Sequence, residues 1–381
     1  MKATQAAAAV GVCCACAVVA LAIIAGGIGI ASAADDKDTC YQANGAPSID
    51  ACTNAIASEK LQGAELAKAY FSRGQAWQKE KQPDKAINDF AEALRLDPAN
   101  PTFYNWRGNS YQAVGQYDRA IGDYERAIQI NPSYAVAFFN MGLAYSAVGD
   151  FQHALAAYND AIQLNPKYVS ARNNRCYVYT MRRDYDHAVE DCDEAIRLDP
   201  QHTNAFLGRG NAYRYKTDYE HAIRDYTQVL QLDPANVSAL IGRGLSYENQ
   251  RNYDRAVADY SQAIAIDPKR AAAWNNRCWV RAIIGQLQDA LSDCNEALRL
   301  LPNDKDALDS RGMTQLKIGN FDAAITDYDK ALRLDPTLVT SLYGRGLAKV
   351  KKGNLPEGNA DVEAAKKADT NIAAKFNGYG L

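Results

Sequence analysis

Apolar and polar residues along most of the chain follow the period of an α-helix, in pairs of helical blocks separated by a short break. In the stretch 101–134, Gly108 and Tyr111 lie three residues apart, so both fall on one face of the first block. Tyr124 and Ala127 repeat this spacing in the second block. The pattern therefore predicts two helices that pack against each other through small and aromatic residues.

The same two-helix pattern returns every 34 residues along the chain. Gly115 favours the end of the first helix, and Pro132 ends the second because proline cannot continue a helix. Eight copies cover residues 67–100, 101–134, 135–168, 169–202, 203–236, 237–270, 271–304 and 305–338. A fixed period of this size indicates an array of stacked repeats, since one hairpin cannot bury its apolar face alone.

The repeat resembles the tetratricopeptide repeat. That family places an aromatic, a small residue, tyrosine, alanine, an aromatic, alanine and proline at fixed positions, which are matched here by Tyr104, Gly108, Tyr111, Ala120, Tyr124, Ala127 and Pro132. The resemblance implies an all-α fold, a right-handed α-solenoid superhelix of stacked helix-turn-helix repeats. It also implies a non-catalytic scaffold that binds a protein or an extended peptide in a concave groove lined by the first helices.

Both ends of the array depart from the pattern. Residues 34–66 are predicted to form an N-terminal capping half-repeat, with one helix at Ser48–Ala57. Residues 339–381 are predicted to form a degenerate ninth repeat and a C-terminal cap, because Val362 replaces the aromatic residue and no proline closes the copy. Terminal repeats are usually atypical, since one of their faces meets water. We expect residues 372–381 to fold back over the last repeat.

Residues 1–33 differ in composition from the rest and are predicted to be a signal peptide or an N-terminal membrane anchor. An apolar run occupies residues 6–34, with Lys2 before it and Asp35 after it. Ala31–Ala33 fits a small-x-small cleavage site, which favours a removed export signal. An uncleaved anchor is the alternative, since the run is long enough to span a bilayer. We expect an exported protein of a bacterial periplasm or, if anchored, an inner-membrane protein with its repeats outside the cytoplasm.

The cysteines beyond this segment follow a pattern of their own. They are Cys40, Cys52, Cys176, Cys192, Cys278 and Cys294. Repeats four and seven carry cysteine at both the eighth and the twenty-fourth positions, which face each other across an antiparallel hairpin. Their spacing predicts the disulfides Cys176–Cys192 and Cys278–Cys294, and elimination leaves Cys40–Cys52. Buried free thiols and a zinc site are the alternatives, although zinc would need four ligands close together in space.

The groove that the resemblance implies has a mixed lining of amide and apolar side chains. Its candidate partner-binding residues are Asn105, Asn109, Phe139, Asn173, Tyr177, Asn211, Asn275 and Trp279. Asparagine can donate to and accept from the backbone of an extended peptide, while apolar neighbours receive its side chains. For Asn173 and Asn275 an alternative is that they only cap or pack.

Two further patterns recur at fixed positions. Arginine at the seventh and aspartate at the twenty-third position occur together in eight of nine repeats, and repeat three lacks both. Their joint loss predicts an ion pair within each repeat. His153, His187 and His221 share the nineteenth position. We expect them to be solvated, with no carboxylate beside them in a fixed pattern, and too far apart to share a metal.

Composition and motifs exclude several function classes. The net charge is −3 and no polybasic run occurs, which argues against nucleic-acid binding. No phosphate loop, zinc-helix motif or nucleophile elbow is present, so we predict no enzyme, no cofactor and no metal. The function expected is a protein-interaction scaffold of the cell envelope. The alternatives are a membrane-anchored structural tether and an accessory subunit of an envelope enzyme complex.

Overall fold

A computed structural model describes residues 33–42 and 45–381, and these form 21 α-helices and no β-strand. The predicted signal or anchor lies outside the described residues, apart from Ala33, which begins the first helix. Among the described helices, none combines the length and the apolar character that crossing a membrane requires.

The helices pair along the chain with short connections. They are α1 (Ala33–Gln42), α2 (Ala46–Ala57), α3 (Gly63–Lys79), α4 (Pro83–Leu96), α5 (Pro101–Ala113), α6 (Tyr117–Ile130), α7 (Ala135–Ala147), α8 (Phe151–Leu164), α9 (Val169–Met181), α10 (Tyr185–Leu198), α11 (Thr203–Tyr215), α12 (Tyr219–Leu232), α13 (Val237–Asn249), α14 (Tyr253–Ile266), α15 (Ala271–Ile283), α16 (Leu287–Leu300), α17 (Lys305–Ile318), α18 (Phe321–Leu334), α19 (Val339–Lys352), α20 (Leu355–Ala368) and α21 (Ile372–Gly378).

Most hairpins of the array close around a glycine that faces a large aromatic ring. A Cβ atom placed on Gly108 would lie 2.6 Å from a ring carbon of Tyr124, which is itself fully buried. Because real Cβ atoms do not approach a carbon this closely, only glycine allows α5 and α6 to pack at this distance. The core of the molecule is thus a continuous row of alanine and tyrosine side chains between two helical layers.

The repeats stack in one direction and curve. In the described part of the chain, the first helices of successive repeats contact each other; for example, α15 contacts α17. The second helices of successive repeats make no such contact there. The first helices therefore line the inner side of the curve. This arrangement is the all-α solenoid of stacked helical repeats that the sequence predicts.

The N-terminal cap is larger than the sequence suggested. Where a single helix was expected, α1 and α2 form a hairpin, and α3 begins at Gly63, earlier than the first predicted repeat. The Ser48 hydroxyl donates to the carbonyl oxygen of Cys40 at 3.0 Å, which ties the two helices together. Few of the α1 residues are apolar, so no helical pattern was visible there.

Arginine and aspartate form a forked ion pair in eight repeats, with Nη2 to Oδ1 distances between 2.5 and 2.8 Å. The pairs are Arg73–Asp89, Arg107–Asp123, Arg175–Asp191, Arg209–Asp225, Arg243–Asp259, Arg277–Asp293, Arg311–Asp327 and Arg345–Asp361. In seven of them the third nitrogen, Nη1, also donates to a side chain in the preceding repeat or cap. The pair predicted to lie within a repeat thus also joins neighbouring repeats.

Three disulfides join the cysteine pairs named from the sequence. The Cα–Cα distances are 4.6 Å for Cys40–Cys52, 5.7 Å for Cys176–Cys192 and 5.4 Å for Cys278–Cys294. These separations lie within the usual range for disulfides. In repeats four and seven the bond therefore replaces the contact between glycine and a large ring that closes repeats one, two, three, five, six and eight.

The last helix folds back, as the sequence predicts for residues 372–381. α21 contacts both α19 and α20, and Ile372 and Phe376 are almost fully buried in this contact. The Phe376 ring lies 4.7 Å from the ring of Tyr343, which stands on the inner face of α19. The chain therefore turns towards the inner side of the curve and not away from it.

Candidate functional site

The floor of the inner face is formed by tyrosines from the second helices, whose hydroxyl groups reach side chains of the first helices. Tyr124 donates to Asn109 Oδ1 at 2.8 Å, and Tyr226 donates to Asn211 Oδ1 at 2.7 Å. Two of the predicted groove residues therefore use their carbonyl oxygens to fix this floor. Burial raises the pKa of Tyr226 to about 12, so its hydroxyl remains a proton donor at neutral pH.

Two other predicted groove residues are held inside the stack. Asn105 is only 3% exposed, and its Oδ1 accepts from Asn140 of the next repeat at 3.0 Å. Phe139 is half-buried, with its ring 5.0 Å from that of Tyr168 and 6.0 Å from that of Tyr158. These contacts commit Asn105 to the junction between repeats two and three and Phe139 to packing within repeat three. They do not support partner contacts from Asn105.

Repeats four and five present an exposed apolar surface on the inner face. Tyr177, Met181 and Tyr215 are 52%, 50% and 51% exposed, and we call these three residues the open patch. Tyr177 was predicted from the sequence, whereas Met181 and Tyr215 were not. Both stand at the thirteenth position of their repeats, which faces the groove in the family that the chain resembles. This position could therefore have identified them as groove residues from the sequence.

The surroundings of the open patch give it a fixed shape. The ring of Tyr185 stacks on Tyr215 with centroids 6.0 Å apart, and the guanidinium of Arg214 lies 4.2 Å from the centroid of the Tyr215 ring. A cleft of about 440 Å³ opens between Met181, Tyr185 and Tyr215. Asn173 lies one helical turn before Tyr177 and is half-buried. An aromatic and methionine surface beside amide and guanidinium groups suits a protein ligand.

The inner face of repeats seven to nine is covered by the end of the chain. The ring of Tyr379 meets Trp279 edge-on at 5.1 Å, so this predicted groove residue is half-buried. Asn275 lies one turn before Trp279, and its Oδ1 is buried without a hydrogen-bond partner among the described residues. Of the eight predicted residues, Tyr177 is therefore the one that the structure leaves exposed, whereas Asn173 beside it is half-buried.

Two carboxyl groups sit unusually deep in the same C-terminal half. Burial raises the pKa of Glu248 to about 7, and the Tyr260 hydroxyl donates to its Oε2 at 2.9 Å. Burial also raises the pKa of Asp309 to about 6, although Ser341 donates to its Oδ1 at 2.5 Å. Among the described residues no three or more His, Cys, Asp or Glu side chains gather as metal ligands.

The three histidines are exposed at the start of second helices, but they do have carboxylate partners, contrary to our expectation. Nδ1 of His153 lies 2.7 Å from Asp150, and His187 and His221 are 2.8 Å from Asp184 and Asp218. The hydrogen bond to Asp184 raises the pKa of His187. The aspartate stands three residues before each of these histidines, so the pairing has a fixed spacing in the sequence.

Comparisons with known families identify the repeats. Models of the tetratricopeptide repeat match residues 67–115, 101–167, 139–203, 207–271, 242–305 and 314–353. Together these ranges cover most of the array. Among curated proteins, no relative matches the chain.

Solved structures show the same fold at low sequence identity. A tetratricopeptide repeat protein from Parabacteroides merdae is 19% identical, with a TM-score of 0.54 over 65% of this chain and 98% of its own. The C-terminal part of a repeat protein from Cytophaga hutchinsonii is 20% identical, with a TM-score of 0.50 over 63% and 98%. The APC/C hetero-tetramer Cut9-Hcn1 contains a chain that is 16% identical, with a TM-score of 0.57 over 83% and 66%.

Proposed function

Because the chain belongs to the tetratricopeptide repeat family, a scaffold fold suited to protein–protein interaction, we propose that it is a non-catalytic scaffold that binds a segment of a partner protein on its inner face. The binding site is centred on the open patch of repeats four and five. The partner is an extended or helical segment with apolar side chains, since the patch offers two tyrosines and a methionine.

The observation that supports this proposal most directly is the exposure of the open patch. Single exposed apolar residues need no explanation, but these three are neighbours. Tyr177 and Met181 stand one helical turn apart on α9, and Met181 and Tyr215 line the same cleft. Tyrosine, methionine and arginine are enriched where proteins bind each other. Arg214 beside Tyr215 adds a cation at the edge of this surface.

The repeat that presents Tyr177 is braced by the two residues that precede it. Cys176, immediately before it, is bonded to Cys192 on the second helix. Arg175 forms the fork with Asp191 and also donates through Nη1 to Asn159 of repeat three at 2.6 Å. A surface held in its binding conformation loses less entropy on association, so this bracing favours affinity.

The proposal includes export to the cell envelope. The apolar run 6–34 and the small-x-small site at Ala31–Ala33 support a cleaved signal. The six remaining cysteines all form disulfides in the structure, and such bonds persist mainly in oxidising compartments. The intact mass of the protein from its native compartment tests both points: it should lack residues 1–33 or so, and reduction should expose six thiols.

Photo-crosslinking in cells tests the binding site. A benzophenone amino acid at Tyr177 should give one dominant adduct, which mass spectrometry identifies. The matched control is the same amino acid at His187, which is similarly exposed but lies on the second helix. Equal adducts at both positions, or none at Tyr177, would overturn the proposal. Adducts confined to the ends of the array, with an uncleaved N-terminus, would instead favour the membrane-anchored tether.

A further inference from the structure

The inner face of repeats seven to nine holds a segment of the chain itself. We call residues 372–381 the tail and residues 379–381 its tip. Phe376 packs on Tyr343 of repeat nine, and Tyr379 packs on Trp279 of repeat seven. Leu381 joins two buried clusters that contain Met313 and Leu316 of repeat eight. The tail thus contacts three successive first helices, the elements that would hold a ligand in the groove.

A lysine holds the backbone of the tip. Lys317 Nζ donates to the carbonyl oxygens of Ala282 at 2.8 Å and Ile283 at 3.3 Å, which end α15. Its third hydrogen bond, at 2.6 Å, goes to the carbonyl oxygen of Tyr379. A cation at a helix C-terminus is favourably placed. Because the third bond is to a main-chain oxygen, any peptide in the same position would satisfy Lys317 equally well.

The two parts of the tail are attached very differently. Ile372 and Phe376 are 1% and 2% exposed and belong to the core of the last repeat. The side chains of the tip are only half-buried, and Gly378 and Gly380 flank Tyr379. Gly380 has a φ of 79°, a conformation natural to glycine. The anchoring part is therefore structural. The tip is capped onto it by backbone hydrogen bonds from Tyr379 N to Lys375 O and from Leu381 N to Phe376 O, both 3.1 Å long. On the groove itself, the tip is held only by the Trp279 ring, the packing of Leu381 and the hydrogen bond of Lys317.

The groove beneath the tip is wider than the tip itself. A cleft of about 230 Å³ separates Tyr379 from repeat six and is lined there by Glu248, Asn249, Arg251 and Tyr253. The tip fills only the side of this space that lies against Trp279 and Ile283. A longer segment has room to continue past Tyr379 towards repeat six.

We propose that the tip is an internal ligand, which closes a second protein-binding site formed by Trp279, Met313 and Lys317. The partner that displaces it is a protein segment with an aromatic residue two positions before an aliphatic one, as in Tyr379–Leu381. Its ring replaces Tyr379 on Trp279, and its carbonyl oxygen takes the hydrogen bond of Lys317. The binding of such a segment and the docking of the tip are mutually exclusive, so the tip lowers the apparent affinity of the site.

This site is independent of the open patch. Trp279 stands three repeats beyond Tyr177, and the two surfaces share no residue. A negative crosslinking result at Tyr177 would leave the second site untouched, and the reverse also holds.

Fluorine NMR on the full chain labelled with 5-fluorotryptophan tests the proposal. The chain has four tryptophans, and Trp279→Phe identifies the resonance of interest. The double variant Tyr379→Ala with Leu381→Ala should shift the Trp279 resonance and leave the other three unchanged. The blocked peptide Asn-Gly-Tyr-Gly-Leu, the sequence 377–381, should then restore the original shift. The unmodified protein should need at least about tenfold more peptide, because its own tip competes.

The controls separate a displaceable tip from a permanent cap. The peptide Asn-Gly-Ala-Gly-Leu should not restore the shift, and Tyr177→Ala should leave the titration unchanged. Lys317→Met, which keeps every tail side chain, should weaken peptide binding and provides a second variant if the first fails to fold. An unshifted Trp279 resonance in the folded double variant, no response to the peptide, or equal affinity for variant and unmodified protein would each overturn the proposal.

Discussion

Repeats four and seven carry the same disulfide and the same fork, yet one presents its inner aromatic residue to solvent and the other covers it. Tyr177 is half exposed in repeat four, whereas its counterpart Trp279 in repeat seven lies under Tyr379. The thirteenth position of the following repeat differs as well, with exposed Tyr215 after repeat four and Lys317 after repeat seven. The difference shows that the repeat motif fixes the position of a side chain, while a distant segment decides whether it is available.

The largest expected effect on stability comes from removing the aspartate carboxylate of the forked arginine–aspartate ion pair. Asp293 pairs with both Arg277 and Arg281 at 2.7 Å, whereas the second arginine near Asp191 of repeat four, Arg172, is 3.8 Å away. Asp293→Ala strands two partly buried cations and should lower the free energy of unfolding by about 4 kcal/mol. Asp191→Ala should cost about 3 kcal/mol, because only Arg175 pairs closely with this carboxylate. Urea unfolding followed by circular dichroism measures both, and identical losses would contradict this ranking.

Removing the disulfide should affect the two repeats equally. Each bond joins residues 16 positions apart, so Cys176→Ala with Cys192→Ala should cost about 3 kcal/mol by the chain-entropy model. The matched change in repeat seven, Cys278→Ala with Cys294→Ala, should cost the same. Unfolding midpoints with and without a reductant provide the measurement. If a reductant lowers the stability of a variant by as much as it lowers that of the unmodified protein, the deleted bond contributed nothing.

The repeats that precede repeats four and seven also differ, and the pH dependence of stability can reveal the difference. At the twelfth position Glu248 precedes repeat seven, and Ser146 precedes repeat four. The pKa of Glu248 is raised from 4.5 to about 7 by burial, so the protonated carboxyl favours the folded state. This stability is fully present below pH 4.5 and is lost as pH rises through about 7.

The unmodified protein should therefore lose about 2 kcal/mol of its free energy of unfolding between pH 5 and 8, and Glu248→Gln should remove this loss. The value lies below the upper limit of about 3 kcal/mol that the raised pKa would give for a fully buried carboxyl. Ser146→Ala is the control and should leave the pH dependence unchanged. Thermal melting across this pH range is the measurement. Parallel curves for Glu248→Gln and the unmodified protein would refute the assignment.

The smallest effect should come from the aromatic residues that define the comparison. Trp279→Ala loses the edge-on contact with Tyr379 and should cost about 1–2 kcal/mol. Tyr177→Ala should change stability by less than about 0.5 kcal/mol, because half of its surface is already in water. Melting temperatures of the two variants test this, and a larger loss from Tyr177→Ala would mean that this residue is structural.

The repetitive part of the fold could be predicted from the sequence because the same pattern occurs eight times. The 34-residue period predicted the hairpins of the array. Within a repeat, the two cysteines occur together and the arginine and aspartate are lost together, and each of these patterns indicated a contact. The pairing of His153, His187 and His221 with an aspartate three residues earlier is equally regular in the sequence. Periodic contacts are local in sequence, so they leave a signature.

The path of the tail and the use of the asparagines could not be predicted in the same way. Tyr379 reaches Trp279 across 100 residues, and no periodic signal reports a contact that is made once. Asn105, Asn109 and Asn211 stand at groove positions, but their carbonyl oxygens bond to Asn140, Tyr124 and Tyr226. Whether an amide faces a partner or a neighbour depends on which hydroxyl or amide lies within reach, and this is set by packing.

The arginine forks also determine how the array transmits force. From repeat three to repeat nine every junction is bridged by a guanidinium, in an unbroken series from Arg175–Asn159 to Arg345–Asp329. Repeat two has no such bridge on either side, since Met141 replaces the arginine of repeat three and Ala91 offers Arg107 no acceptor. The junctions of repeat two are held instead by neutral hydrogen bonds, from Gln78 to Ser110 at 2.6 Å and from Asn140 to Asn105 at 3.0 Å. Because such bonds are weaker than those of a guanidinium to a carboxylate, we expect an array under tension to stretch first at repeat two.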